Sequence, residues 1–181
     1  MKPKEPSGVE GQALAAVLQD QWPAYVSFLV SFATIGIMWL NHHRLFTLIR
    51  RVDNGLLVLN LLLLLGVTIV PFPTALVADY LGHPGDRLAA LLYAGNGLNI
   101  ALCFWGLWRY TASPARTPRL LRMHPESAEV KAVNAQYRFG PLFYVAAFAL
   151  AFLSAAASMA FCCAMALFFA LPPRSPQGAA D

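Results

Sequence analysis

Long apolar runs, separated by short segments rich in cations, proline and glycine, make up most of this chain. Apart from Ser27, Ser31 and Thr34, residues 23–40 are apolar, and such hydroxyls can bond back to their own helix. The run ends in Trp39, Asn41, His42, His43 and Arg44, followed by Arg50 and Arg51. An apolar helix that finishes in an aromatic ring and a cluster of cations describes a helix leaving the bilayer on its positively charged side. About 18 residues at 1.5 Å rise reach roughly 27 Å, close to the hydrocarbon thickness. We place the first span at 23–43.

The second span, 55–77, reads GLLVLNLLLLLGVTIV and is closed by PFPT. Pro71 and Pro73 would each cost about 3 kcal/mol inside a lone helix, so they mark a kink or the helix end. A short turn with Asp79, Gly82, Pro84, Gly85 and Asp86 leads into the third span, 88–110, which carries Gly95, Asn96, Gly97 and Asn99. That span ends in Trp105, Trp108, Arg109 and Tyr110, the expected interfacial belt plus a cation. The following loop holds Arg116, Arg119, Arg122, Lys131 and Arg138, and its second half reads as a surface helix. As one helix the final run, 139–171, would be roughly 50 Å long, so two short helices, 139–153 and 155–171, fit better. The small residues from Ser154 to Ser158 suit their tight turn and close approach.

The expected fold class is therefore all-α: a polytopic integral membrane helical bundle with five transmembrane helices over 23–171. Residues 1–22 form an external polar leader and 172–181 a disordered cytoplasmic tail. Composition agrees, with 58% apolar and 12% charged residues and a mean hydropathy of +0.55; so few charges cannot coat a soluble globule of this size. The net charge of +4 sits in span-flanking loops, where it orients the chain rather than binding nucleic acid. The positive-inside rule puts the loops of Arg44 to Arg51 and of Arg116 to Arg138 in the cytoplasm and the N-terminus outside. A polar outside leader with nothing to start its translocation is uncommon, and a helix preceding Met1 and absent from this chain explains it.

Candidate chemistry is sparse. Adjacent helical residues diverge by about 100°, so His42 and His43 make a poor metal pair and read as helix-end hydrogen-bonding groups, with a pH-sensitive contact as the alternative. Cys103, Cys162 and Cys163 all lie in apolar runs and read as small packing residues. Asn60, Asn96 and Asn99 are amides within spans, costly unless bonded, and read as interhelical contacts or, more sharply, as pore lining. No acidic residue lies inside a span, which argues against a carboxylate proton relay. No triad, paired carboxylates, Cys-x-x-Cys or phosphate loop is present, so no enzyme, cofactor or metal is expected. A membrane enzyme built on His42, His43 and His83 is the weakest alternative.

The stretches WPAYVSFLVSFATIGIMWLNHHRLF and RRVDNGLLVLNLLLLLGVTIVPFPT closely resemble the second and third helices of bacterial relatives of the endosomal and lysosomal potassium channel, transmembrane protein 175. The resemblance runs from about Ala13 to Leu171, with its specificity in Trp39 to Phe46 and Asn60 to Thr74. It implies a six-helix subunit, four subunits around one pore, and a first helix carrying Arg-x-x-x-Phe-Ser-Asp and rings of large apolar side chains as the constriction. That motif is absent here, and Met1 to Lys4 looks like the loop that follows the first helix. By the same resemblance Trp39, Asn41, His42 and His43 are the docking surface for that helix, and the partners are potassium or other monovalent cations, the lipid bilayer and further copies in a homotetramer. The expected function is a subunit of an oligomeric potassium channel in a bacterial cytoplasmic membrane. The alternative is a non-conducting scaffold or assembly partner.

Overall fold

The computed structural model describes residues 14, 16, 18–113, 120–124 and 126–171. The expected tail, most of the expected leader, and Arg116 and Arg119 lie outside these residues. Helices follow in the order α1 (Trp22–Thr47), α2 (Asn54–Ile69), α3 (Pro71–Tyr80), α4 (Asp86–Thr111), α5 (Ala128–Tyr137), α6 (Gly140–Leu153) and α7 (Ala155–Ala170). Among the described residues an isolated antiparallel bridge, Ile49 with Leu121, is the one extended pairing.

The helix boundaries have local causes. Asp53 caps α2, its Oδ1 accepting from the Leu56 amide at 2.8 Å. Ser154 breaks the last apolar run: its extended backbone ends α6, and its Oγ accepts from the Ala157 amide to start α7. Pro71, at the first position of α3, bends the second span without ending it, because Val70 keeps helical angles and Asn54–Tyr80 continues as one apolar stretch of 27 residues. The helix therefore runs two turns past the proline. With α1 and α4, this stretch is long and apolar enough to cross a membrane. Helices α6 and α7 have 14 and 16 residues, or about 21 and 24 Å.

Helix α4 is the hub, packing against α2, α3, α6 and α7, while α1 leans on α3 and α7. Its contact with α6 and α7 is built from Ala90, Ala94, Ala147, Ala151 and Ala155, all buried. Small side chains let these backbones approach, which maximises dispersion where no hydrophobic drive exists between lipid-immersed helices. Ser158 seals the α6–α7 pair by donating its hydroxyl to the Ala147 carbonyl at 2.8 Å. The core proper gathers Leu45, Leu56, Leu63, Ile100, Phe104, Leu107 and Trp108.

Two expectations need correction. Trp108 is not part of a lipid-facing belt: it is 1% exposed, and its Nε1–H donates to Asn134 Oδ1 at 2.6 Å, tying α4 to α5. Tyr110 likewise turns inward to donate to Asp53, leaving Trp105 and Arg109 as the exposed pair, the guanidinium stacked over the indole. Nor is α5 simply a surface helix, since Val130, Val133 and Tyr137 are buried along one side. Trp108 is covered because α5 folds back over the end of α4, while Tyr110 is drawn in by Asp53, the cap of α2.

Candidate functional site

The polar side chains singled out in the spans fall into three groups. The first lies where α1, α5 and α7 meet. Asn41 is 4% exposed. Its Nδ2 donates to Phe169 O at 2.8 Å and to Ile37 O at 2.9 Å, and its Oδ1 accepts from Tyr137 Oη at 3.0 Å. Arg44, one turn further along α1, donates to the carbonyls of Ala170 and Leu171, and Gln136 also reaches Leu171 O. The last carbonyls of a helix have no partner within it and carry its negative dipole end. Here an amide and a guanidinium from α1, with an amide from α5, supply the missing donors. Burial pushes the Tyr137 phenol above its ordinary range, so it remains a donor at neutral pH.

The second group joins α1 to α2. His42 Nε2 lies 2.7 Å from Asn60 Oδ1, and because that oxygen only accepts, the imidazole presents its Nε2–H. Phe46 stacks on the same ring at 4.2 Å. His43 leaves on the exposed side and stacks with exposed Trp39 at 5.4 Å. The four neighbours from Trp39 to His43 are thus divided: Asn41 and His42 are contacts inside this chain, and Trp39 and His43 form the exposed surface. A double-mutant cycle on His42→Ala and Asn60→Ala is expected to give a coupling of about 0.6 kcal/mol, the usual worth of such a bond between membrane helices. Additive unfolding free energies in detergent would contradict the bond.

The third group surrounds the kink. Val70 N–H bonds to Val67 O rather than to Gly66 O, so the tightened turn at Pro71 strips the Gly66 carbonyl of its helical donor. Asn96 Nδ2 supplies one at 3.0 Å. Gly66 is buried, and a Cβ there would sit 2.9 Å from both Asn99 Nδ2 and Ile100 Cγ1. The glycine is what lets α2 and α4 touch. Asn99 is exposed and makes no hydrogen bond among the described residues.

No cluster of His, Cys, Asp or Glu suited to a metal occurs among the described residues. His83 lies in the turn beyond α3, separated from His42, which bonds to Asn60, by the helical stretch from Asn60 to Tyr80, about 30 Å. One catalytic centre cannot contain all three. Sequence reasoning passed over Tyr137 and Gly66; an isolated glycine in a leucine-rich helix is a recognisable sign of close backbone approach, whereas Tyr137 carried no comparable signal.

Residues 1–71 match the family described as endosomal/lysosomal potassium channel TMEM175. Over 163 residues the chain is 48% identical to a potassium channel of Chamaesiphon minutus, covering 90% of this chain and 79% of the relative. The chain belongs to the TMEM175 family. A potassium channel of Streptomyces collinus is 38% identical over 153 residues, covering 84% of this chain and 73% of that one. The fold agrees: the crystal structure of a lysosomal potassium-selective channel TMEM175 homolog from Chamaesiphon minutus superimposes with a TM-score of 0.72 at 45% identity, covering 93% of this chain and 84% of that chain. This TMEM175-family chain is accordingly a multi-pass membrane protein, and its family is one of ion channels rather than enzymes.

Proposed function

We propose that this chain is a subunit of an oligomeric, most simply tetrameric, potassium channel in a bacterial cytoplasmic membrane, with its two basic loops on the cytoplasmic side. The 48% identity to a protein named a potassium channel, extending over 90% of this chain, carries the reading. The chemistry of the spans suits it. Apart from His42 and His43 at the end of the first and Arg109 at the end of the third, the expected spans carry amides and hydroxyls, with no carboxylate among their polar groups. No Thr-Val-Gly-Tyr-Gly stretch offers a carbonyl filter, so discrimination rests on a narrow apolar constriction where an ion sheds water, with hydroxyls or helix-end dipoles replacing part of its hydration.

Two exposed features supply contacts for other copies. Tyr25, Phe28, Phe32 and Trp39 follow one another at helical spacing along the outside of α1, with Gly36 open between them. Asn99 presents an amide halfway along α4, where an unbonded amide in hydrocarbon is costly and a second chain would satisfy it. Asn99→Ala, which adds no bulk against Gly66, is therefore expected to weaken the oligomer while the monomer folds normally. Light scattering of the purified variant checks this, and an unchanged oligomer mass removes Asn99 from the interface.

The deciding experiment is potassium flux into vesicles reconstituted with the protein as its own chromosomal gene makes it. Flux well above that of empty vesicles is expected. A folded, oligomeric preparation without flux overturns conduction, and its co-purification with a longer relative would identify an assembly partner instead.

A further inference from the structure

The loop after α1 and the loop before α5 are distant in sequence yet zipped together. The Arg50 amide donates to Leu120 O at 2.7 Å and the Arg122 amide to Leu48 O at 2.9 Å, with Ile49 opposite Leu121. Residues directly opposite in an antiparallel pair share a face, and their neighbours take the other. Ile49 and Leu121 belong to the buried core and Leu120 is buried as well, whereas Arg50 and Arg122 are both exposed. They stand diagonally across the bridge, within mutual reach of long side chains, and exposed Arg51 extends the group. Arg122 is held in place by its Nε–H, which donates to Ile49 O at 3.1 Å.

These cations differ from the others on this rim. Arg44 is spent on the carbonyls of α7, and Arg109 and Arg138 lie over aromatic rings. Among the described residues no carboxylate pairs with Arg50, Arg51 or Arg122; the ion pair seen there joins Lys131 to Glu126. Beside the three arginines the surface turns apolar at once, with Val52 55% and Leu57 54% exposed. The patch therefore offers concentrated positive charge directly above hydrocarbon-facing side chains. A soluble anion would match only the first feature, whereas a phospholipid matches both.

We propose that Arg50, Arg51 and Arg122 bind the headgroup phosphate of an anionic phospholipid whose acyl chains lie along Val52 and Leu57. The site needs the chain to span a bilayer but not to pass ions, so it stands or falls separately from conduction.

The test is retention of lipid by the full chain in neutral detergent, read by native mass spectrometry, with phosphatidylglycerol, phosphatidylcholine or inorganic phosphate added. Phosphatidylglycerol is expected to be retained at a concentration at least about tenfold below phosphatidylcholine, with the difference shrinking at high salt. R50Q/R51Q is expected to weaken phosphatidylglycerol retention about thirtyfold and leave phosphatidylcholine unchanged. Arg122 is spared because its side chain holds the bridge. Equal retention of both lipids by the unaltered chain overturns the proposal without any variant. So does unchanged phosphatidylglycerol retention in R50Q/R51Q, or displacement of that lipid by millimolar inorganic phosphate, which would define a soluble-anion site.

Discussion

Replacing Asn41 with leucine is expected to destabilise the chain by about 2 kcal/mol, because the leucine strands a buried partner and a half-buried one at once. The Phe169 carbonyl loses its donor from α1, and the Tyr137 hydroxyl loses its acceptor. A stranded buried group costs about 1–3 kcal/mol, while the average bond between membrane helices contributes about 0.6 kcal/mol. Asn41 lies where the larger scale applies, being closed off by α5 as well as by α7. Tyr137→Phe removes one donor and keeps the ring's stacking with Phe104 and Phe169, so it should cost roughly half as much. Unfolding in detergent micelles ranks the pair, and a leucine variant as stable as the parent would show that the amide contributes nothing.

Tyr137 also has a pH signature. Its pKa is raised in the folded chain, by burial, so the unfolded phenol ionises first. The stability it supports is fully present below about pH 10, the ordinary phenol value, and is lost as pH rises above that. Tyr137→Phe should flatten this alkaline limb and leave stability at neutral pH falling only by the lost bond.

Gly66→Leu is expected to cost more, about 3 kcal/mol or above, by combining overpacking with the loss of a hydrogen bond. The new side chain must enter space held by Asn99 and Ile100, which pushes α2 from α4 and pulls the Gly66 carbonyl from Asn96. The kink at Pro71 then has an unsatisfied carbonyl in hydrocarbon. Gly36→Leu is the informative comparison, because no atom lies within 4 Å of a Cβ there. It should leave monomer stability unchanged and impair assembly, as the exposed face of α1 is the proposed contact. A Gly66→Leu chain that melts with the Gly36→Leu chain would remove the close approach from the account of the fold.

The relation of these sites to the sequence follows from the range over which each cause acts. Ser154 was readable as a turn residue because a cap is made within three residues of itself. His42 and Asn60 were readable as groups needing a bond, though nothing local named them as each other's partner. Trp108 was misread because its neighbours Trp105, Arg109 and Tyr110 follow the pattern of an interfacial belt. The decisive contact comes from Asn134, in a helix that folds back from the far side of the third loop.

What the sequence alone determined is the number and placement of the apolar runs, their breaks and their cationic ends. Each is set by transfer from water to hydrocarbon and by backbone hydrogen bonding within one segment. Tertiary structure decided which polar groups are spent and which remain available. Asn41 became a helix-end donor, Asn96 the partner of a kinked carbonyl, and Asn99 an exposed amide, although Asn96 and Asn99 lie three residues apart in the same apolar run. The difference is the neighbouring helix, because a buried amide in a bilayer takes its meaning from the donor or acceptor that packing brings to it.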